Sequence, residues 1–158
     1  MLFRSFLSQL IRRPVRDRDG ETFGTVRDLI VALGERYPPV TGLVVRVAGG
    51  RDIFLPWTDV EEIHTSGARL HTSSIDITTF RQRPHEIRLW LDLQDKQIVD
   101  VEGRKIVRVN DIQLAPVDGQ LRLIAVDVGL AGILRRLGLS GPGGRLAQIG
   151  RASCRERV

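Results

Sequence analysis

The chain has 158 residues, 42% hydrophobic and 27% charged, with a formal net charge of +5 and one cysteine. These proportions suit a globular protein, and no apolar run approaches the roughly 20 residues that a membrane helix needs. One thiol excludes a disulfide framework, and an aromatic content of 5% leaves little with which to stack nucleic-acid bases.

Leu2, Phe3, Phe6, Leu7, Leu10 and Ile11 are spaced like one apolar helical face, which predicts a lead-in segment packed on the body of the fold. Arg4, Arg12 and Arg13 would suit the alternative, a helix lying on an anionic membrane. The start lacks a long apolar core and a small-residue cleavage site, so no signal peptide is expected and the protein reads as cytoplasmic.

Residues 14–31, PVRDRDGETFGTVRDLIV, read as a hairpin turning at Asp19-Gly20 in a type I′ turn. The same pattern returns 83 residues later. Val15 falls on Ile98, Asp17 on Asp100, Gly20 on Gly103, Val26 on Val109 and Asp28 on Asp111. The offset also carries Leu10 onto Leu93, Val40 onto Leu123 and Leu43 onto Val126. The chain reads as an internal duplication.

Between the copies, residues 40–47 form a strand in which Gly42 marks a bulge or a close approach. Ile53 to Trp57 and residues 68–72 read as further short strands, the pattern of a small barrel. Ser73 or Ser74 is expected to cap a short helix through Ile77 and Phe80, ending before Pro84. In the second unit residues 121–128 form a strand. Leu130, Ile133, Leu134 and Leu137 then share one face of an expected helix that needs a partner surface. Counterparts of the strands at 53–57 and 68–72 are missing, so the second barrel reads as incomplete.

The acidic turn at Asp17 lacks the glycine and glutamate spacing of a calcium loop and reads as turn chemistry. His64, His71 and His85 have no helical spacing, although His64 and His71 could face each other across a hairpin. Asp59, Glu61 and Glu62 read as a solvated strand end. No nucleophile elbow or phosphate loop occurs. No catalytic residue, metal site or cofactor is expected, and the arginines are interleaved with acids, so dedicated nucleic-acid binding is not expected either.

The final ten residues, IGRASCRERV, continue no earlier pattern and resemble translated read-through of a sequencing adapter. Residues 140–158 are therefore read as linker and non-native tail. Without the three arginines and one glutamate of that tail, the charge falls to +3, and Cys154 goes with it.

The two copies of V-x-D-x-(D/E)-G-x(5)-V-x-D-(L/I), together with Phe54-Leu55-Pro56-Trp57-Thr58-Asp59-Val60, resemble the PRC-barrel family. The resemblance implies an all-β fold of tandem small PRC-type β-barrels with short helices. Residues 1–85 form the first unit and 86–139 a second, truncated one. Asp17, Gly20, Asp28, Trp57, Asp100, Gly103 and Asp111 carry the structural motif. The linker around residues 80–84 and the 129–139 segment resemble the N-terminal part of bacterial proteins related to the magnesium transporter MgtE, where CBS domains follow. That likeness implies a non-enzymatic interaction and regulatory module whose partners are further domains of a longer chain or another protein, with a homo-oligomer also compatible. The alternative is a RimM-like adaptor that binds RNA or the ribosome.

Overall fold

Short runs rich in Val, Ile and Leu, punctuated by Gly and Asp, favour strands over helices because branched side chains pack well on a pleated surface. The computed structural model describes residues 4–99, 106–128 and 134–135, and the fold there is all-β with only short helical turns. The first half runs β1 (Ser5–Phe6), α1 (Leu7–Leu10), β2 (Pro14–Arg16), β3 (Thr22–Ala32), β4 (Val40–Val47), β5 (Asp52–Pro56), a 3-10 turn (Trp57–Asp59), β6 (Val60–His64) and β7 (Gly67–Leu70). The second half runs β8 (Glu86–Arg88), a π turn (Leu89–Leu93), β9 (Gln97–Val99), β10 (Ile106–Arg108), β11 (Asp111–Val117), β12 (Gln120–Asp127) and β13 (Leu134–Arg135).

One sheet has the order β5-β4-β3-β2-β7-β6, with β8 added to β3. A second has the order β1-β11-β12-β13, and β9 pairs with β10 in a third. The lead-ins are therefore exchanged. β1 of the first half pairs with β11 of the second, and β8 of the second half pairs with β3 of the first.

Adding 83 to the residue numbers carries the pairing of one half onto the other. Asp28↔Val44, Leu29↔Leu43, Ile30↔Gly42 and Val31↔Val40 become Asp111↔Asp127, Ile112↔Val126, Gln113↔Ala125 and Leu114↔Leu123. Both ladders slip at the same place, after Ile30 and after Gln113. Arg12 and Asp95, also 83 apart, both take positive φ (67° and 60°), and their amides donate to the Val26 and Val109 carbonyls. Pro39 and Arg122 share that offset and form an isolated bridge with each other. Equivalent residues can meet in this way only on a local two-fold axis.

One apolar core crosses both halves. Leu7, Leu10, Leu29 and Leu43 lie in it with Leu89, Leu93, Ile112 and Leu114, all fully buried. Each such side chain contributes about 1.5–3 kcal/mol of hydrophobic free energy. Ile30 and Val44 are equally buried but lie outside this cluster, on the opposite face of the sheet.

Three expectations change. The hairpin at Asp19-Gly20 is not type I′, because Gly20 alone takes a positive φ (87°). Its amide donates to the Asp17 carbonyl and the Asp17 amide to the Glu21 carbonyl, giving a three-residue loop with a glycine bulge. No helix forms at residues 73–80. The branched residues Ile75, Ile77, Thr78 and Thr79 disfavour one, and the segment runs along the β5 edge, where Thr79 bridges Ile53 and the Phe80 amide donates to the Asp52 carbonyl. Leu134 belongs to a strand, not a helix, because Leu134 and Arg135 complete the β12 ladder. β13 lies beside β12 as β5 lies beside β4, although its register does not follow the 83-residue offset. Leu130, Ile133 and Leu137 lie outside the described residues, as do Asp100 and Gly103.

Gly42 is a close-approach site. A Cβ there would lie 2.4 Å from the Phe54 ring and 2.5 Å from the Leu55 carbonyl oxygen. Gly42→Ala is expected to destabilise by about 1–3 kcal/mol through overpacking, read as a lower urea midpoint.

Candidate functional site

The conspicuous polar chemistry lies where the exchanged lead-ins dock. Asp28 sits in the middle of β3, fully buried. One carboxylate oxygen accepts the Leu29 amide at 2.9 Å and the Trp90 amide at 2.7 Å. The other accepts the Leu91 amide at 3.0 Å and Arg88 Nε at 3.2 Å. Four donors fill the lone-pair sites of a carboxylate, so Asp28 acts as a clamp on the second half's π turn and has no free site for a metal.

Asp111 performs the reciprocal task. One oxygen accepts the Ile112 amide at 2.8 Å and the Ser8 amide at 3.2 Å, and the other accepts the Ser8 hydroxyl. Each aspartate thus ties its own next amide to the lead-in turn of the opposite half. The turns differ by one residue. In the first the Ile11 amide donates to the Leu7 carbonyl; in the second the Gln94 amide donates to Leu89, one residue further back. The extra residue explains why Gln9 reaches the Phe6 amide three positions earlier, whereas Asp92 reaches the Arg88 amide four positions earlier.

Burial pushes the Asp28 carboxyl above the ordinary aspartate range, against the Trp90 and Leu91 amides, Arg88 and the Leu29 amide, which pull it back. Asp52 is shifted the other way, because the Arg46 guanidinium grips it at 2.8 and 3.0 Å and holds it below the usual range.

Among the remaining sequence-predicted residues, Asp17 accepts the Asp19 and Glu21 amides at 2.9 and 3.0 Å, which stiffens the loop that Gly20 closes. Trp57 is half-buried against the core at the start of the 3-10 turn. His64 lies at the turn between β6 and β7, 3.2 Å from Glu62, while His71 follows β7 at the hairpin's other end and contacts the Thr58 carbonyl. The two do not converge. Glu61 pairs with Arg69 instead. Among the described residues, no group of three His, Cys, Asp or Glu side chains is placed to hold a metal ion.

Asp28 and Asp111 were visible in the repeated V-x-D motif. Their partners Ser8, Arg88 and Trp90 were not, because no sequence spacing says that lead-ins cross between halves. The matched Leu10 and Leu93 were the only hint that the lead-ins are themselves equivalent.

Residues 4–77 match the family model for the PRC-barrel domain, a stretch running from β1 through β7. No curated protein matches the chain.

Asp28→Asn turns a lone pair into a donor facing donors and leaves Arg88 beside an uncharged group. The expected loss is about 3–5 kcal/mol by urea unfolding, against about 1 kcal/mol for Ser8→Ala. The folded state holds the Asp28 proton more tightly than the unfolded chain. This group's stabilising contribution is therefore complete below the unfolded pKa and is lost as pH rises through the folded one. Stability measured from about pH 3.5 to 7 should carry that downward component, and Asp28→Asn should remove it.

Proposed function

From a first half that matches the PRC-barrel domain, we propose that the chain is a pair of PRC-type halves acting as a non-enzymatic interaction and regulatory module. The observation that carries this reading is the reciprocal clamp. The buried carboxylate at Asp28 is saturated by backbone amides and an arginine, and its counterpart Asp111 holds the opposite lead-in. The polar groups at Asp28 and Asp111 hold the two halves together over a shared core. The tandem reading is supported by the common register, the common bulge position and the bridge between Pro39 and Arg122.

Two halves joined over one core suit a role as a platform that positions other domains. The likeness of residues 80–84 and 129–139 to MgtE-related proteins points to an MgtE intracellular and CBS-type assembly as the neighbour, within a longer chain or on another protein.

Calorimetric titration of the chain with an MgtE intracellular–CBS fragment tests this. Saturable binding that survives about 0.2 M salt is expected, and no heat of binding sinks the reading. RNA binding whose affinity falls by roughly 10³ or more between 50 and 200 mM salt would instead favour the RimM-like adaptor.

A further inference from the structure

The likeness of the two halves has no match at one sheet edge. In the first half β2 lies between β3 and β7. Its counterpart β9 repeats the pairing on the β3 side, since Pro14↔Thr25 and Val15↔Gly24 become Gln97↔Arg108 and Ile98↔Val107. On its other side β2 pairs in parallel with β7, through Val15↔Ala68 and Arg16↔Arg69. Among the described residues no strand takes that place beside β9, which pairs with β10 alone.

β9 is otherwise built as an inner strand. Ile98 is 8% exposed and lies in the shared core, as Val15 does. A strand packed on the core, with an edge that has no described partner, is a template for one more strand. The next strand in, β10, carries Ile106 at 69% exposed, whereas Phe23 at the same offset is half-buried against the core. Apolar surface therefore lies within one strand of the open edge.

The first half shows what fits there. Gly67, Ala68 and Leu70 of β7 are buried, and Arg69 is exposed. A Cβ on Gly67, whose φ is 143°, would lie 2.5 Å from the Pro14 carbonyl oxygen. That oxygen is backbone, so the same limit holds beside Gln97. The occupant must bring a glycine, then a small, a polar and an apolar residue. A second copy of this chain has no such strand to spare, because its β7 is held between β2 and β6.

We propose that the open edge of β9 receives a parallel strand of the pattern glycine–small–polar–apolar from a partner protein, completing the second half as β7 completes the first. The inference deepens the module reading and rests on it for there being a partner. The strand pattern comes from β7 alone.

The test uses the whole chain and a fluorescein-labelled peptide copying residues 57–72, which span the 3-10 turn, β6 and β7. Saturable binding by anisotropy is expected, with amide hydrogen exchange slowed at residues 97–99 and unchanged at residues 14–16. Gly67→Val in the peptide should weaken binding about tenfold, because that strand cannot approach the Gln97 carbonyl. No binding, or equal binding by the Gly67→Val peptide, overturns the site. Exchange altered at residues 14–16 and not at 97–99 also overturns it, since the peptide would then have entered the first half. So does a chain that dimerises without peptide and slows exchange at residues 97–99 as it does, which makes a second copy the occupant. Each of these results leaves the titration with the CBS-type fragment standing, so failure of this edge and failure of the module reading are distinguishable.

Discussion

The fold depends on two carboxylates that each hold the other half's lead-in. A helical turn of four or five residues is too short to be stable by itself, because nucleating it fixes several residues for one hydrogen bond. Asp28 and Asp111 supply what such turns lack by accepting the N-terminal amides that have no partner within the turn. The cross-connection then makes each half a condition for the other. Without the second half's π turn, Asp28 would lose two of its four donors; without β11, Ser8 would lose the carboxylate that holds its amide and hydroxyl.

This arrangement answers the problem of size. A unit of some 70–80 residues buries too little surface to be more than marginally stable alone. Two halves that share one core and exchange their lead-ins behave as a larger domain, with Leu7 and Leu10 packed in the same cluster as Ile112 and Leu114. The local two-fold axis at Pro39 and Arg122 follows from the same economy, since equivalent surfaces that fit each other once fit each other twice. Arg122 reinforces that axis by reaching Glu35 and the Tyr37 carbonyl.

The two halves depart from each other where their surroundings differ. The added residue in the second lead-in widens its turn, so a second amide, Leu91, reaches the Asp28 carboxylate; at Asp111 the Ser8 hydroxyl fills that place. Residues 73–88 set Phe80 against Phe54 and place Arg83 and Arg88 beside those rings on the outer face of the first half.

The sequence by itself determined the all-β class and the strand at residues 40–47, and it set Asp28 and Asp111 at an offset of 83 that recurs in the pairing of β3 with β4 and of β11 with β12. These are local properties: branched residues prefer strands, and a repeated motif needs no knowledge of distance. Only the tertiary structure decided that the lead-ins cross, that residues 73–80 run extended, that Leu134 joins a ladder, and that His64 and His71 stay apart. Each of these turns on which surface a segment finds, and a short apolar stretch such as Ile133-Leu134 fits a helical face and a sheet edge alike until a neighbour offers unpaired amides and carbonyls. β12 offered them, and the ladder prevailed at Leu134 and Arg135.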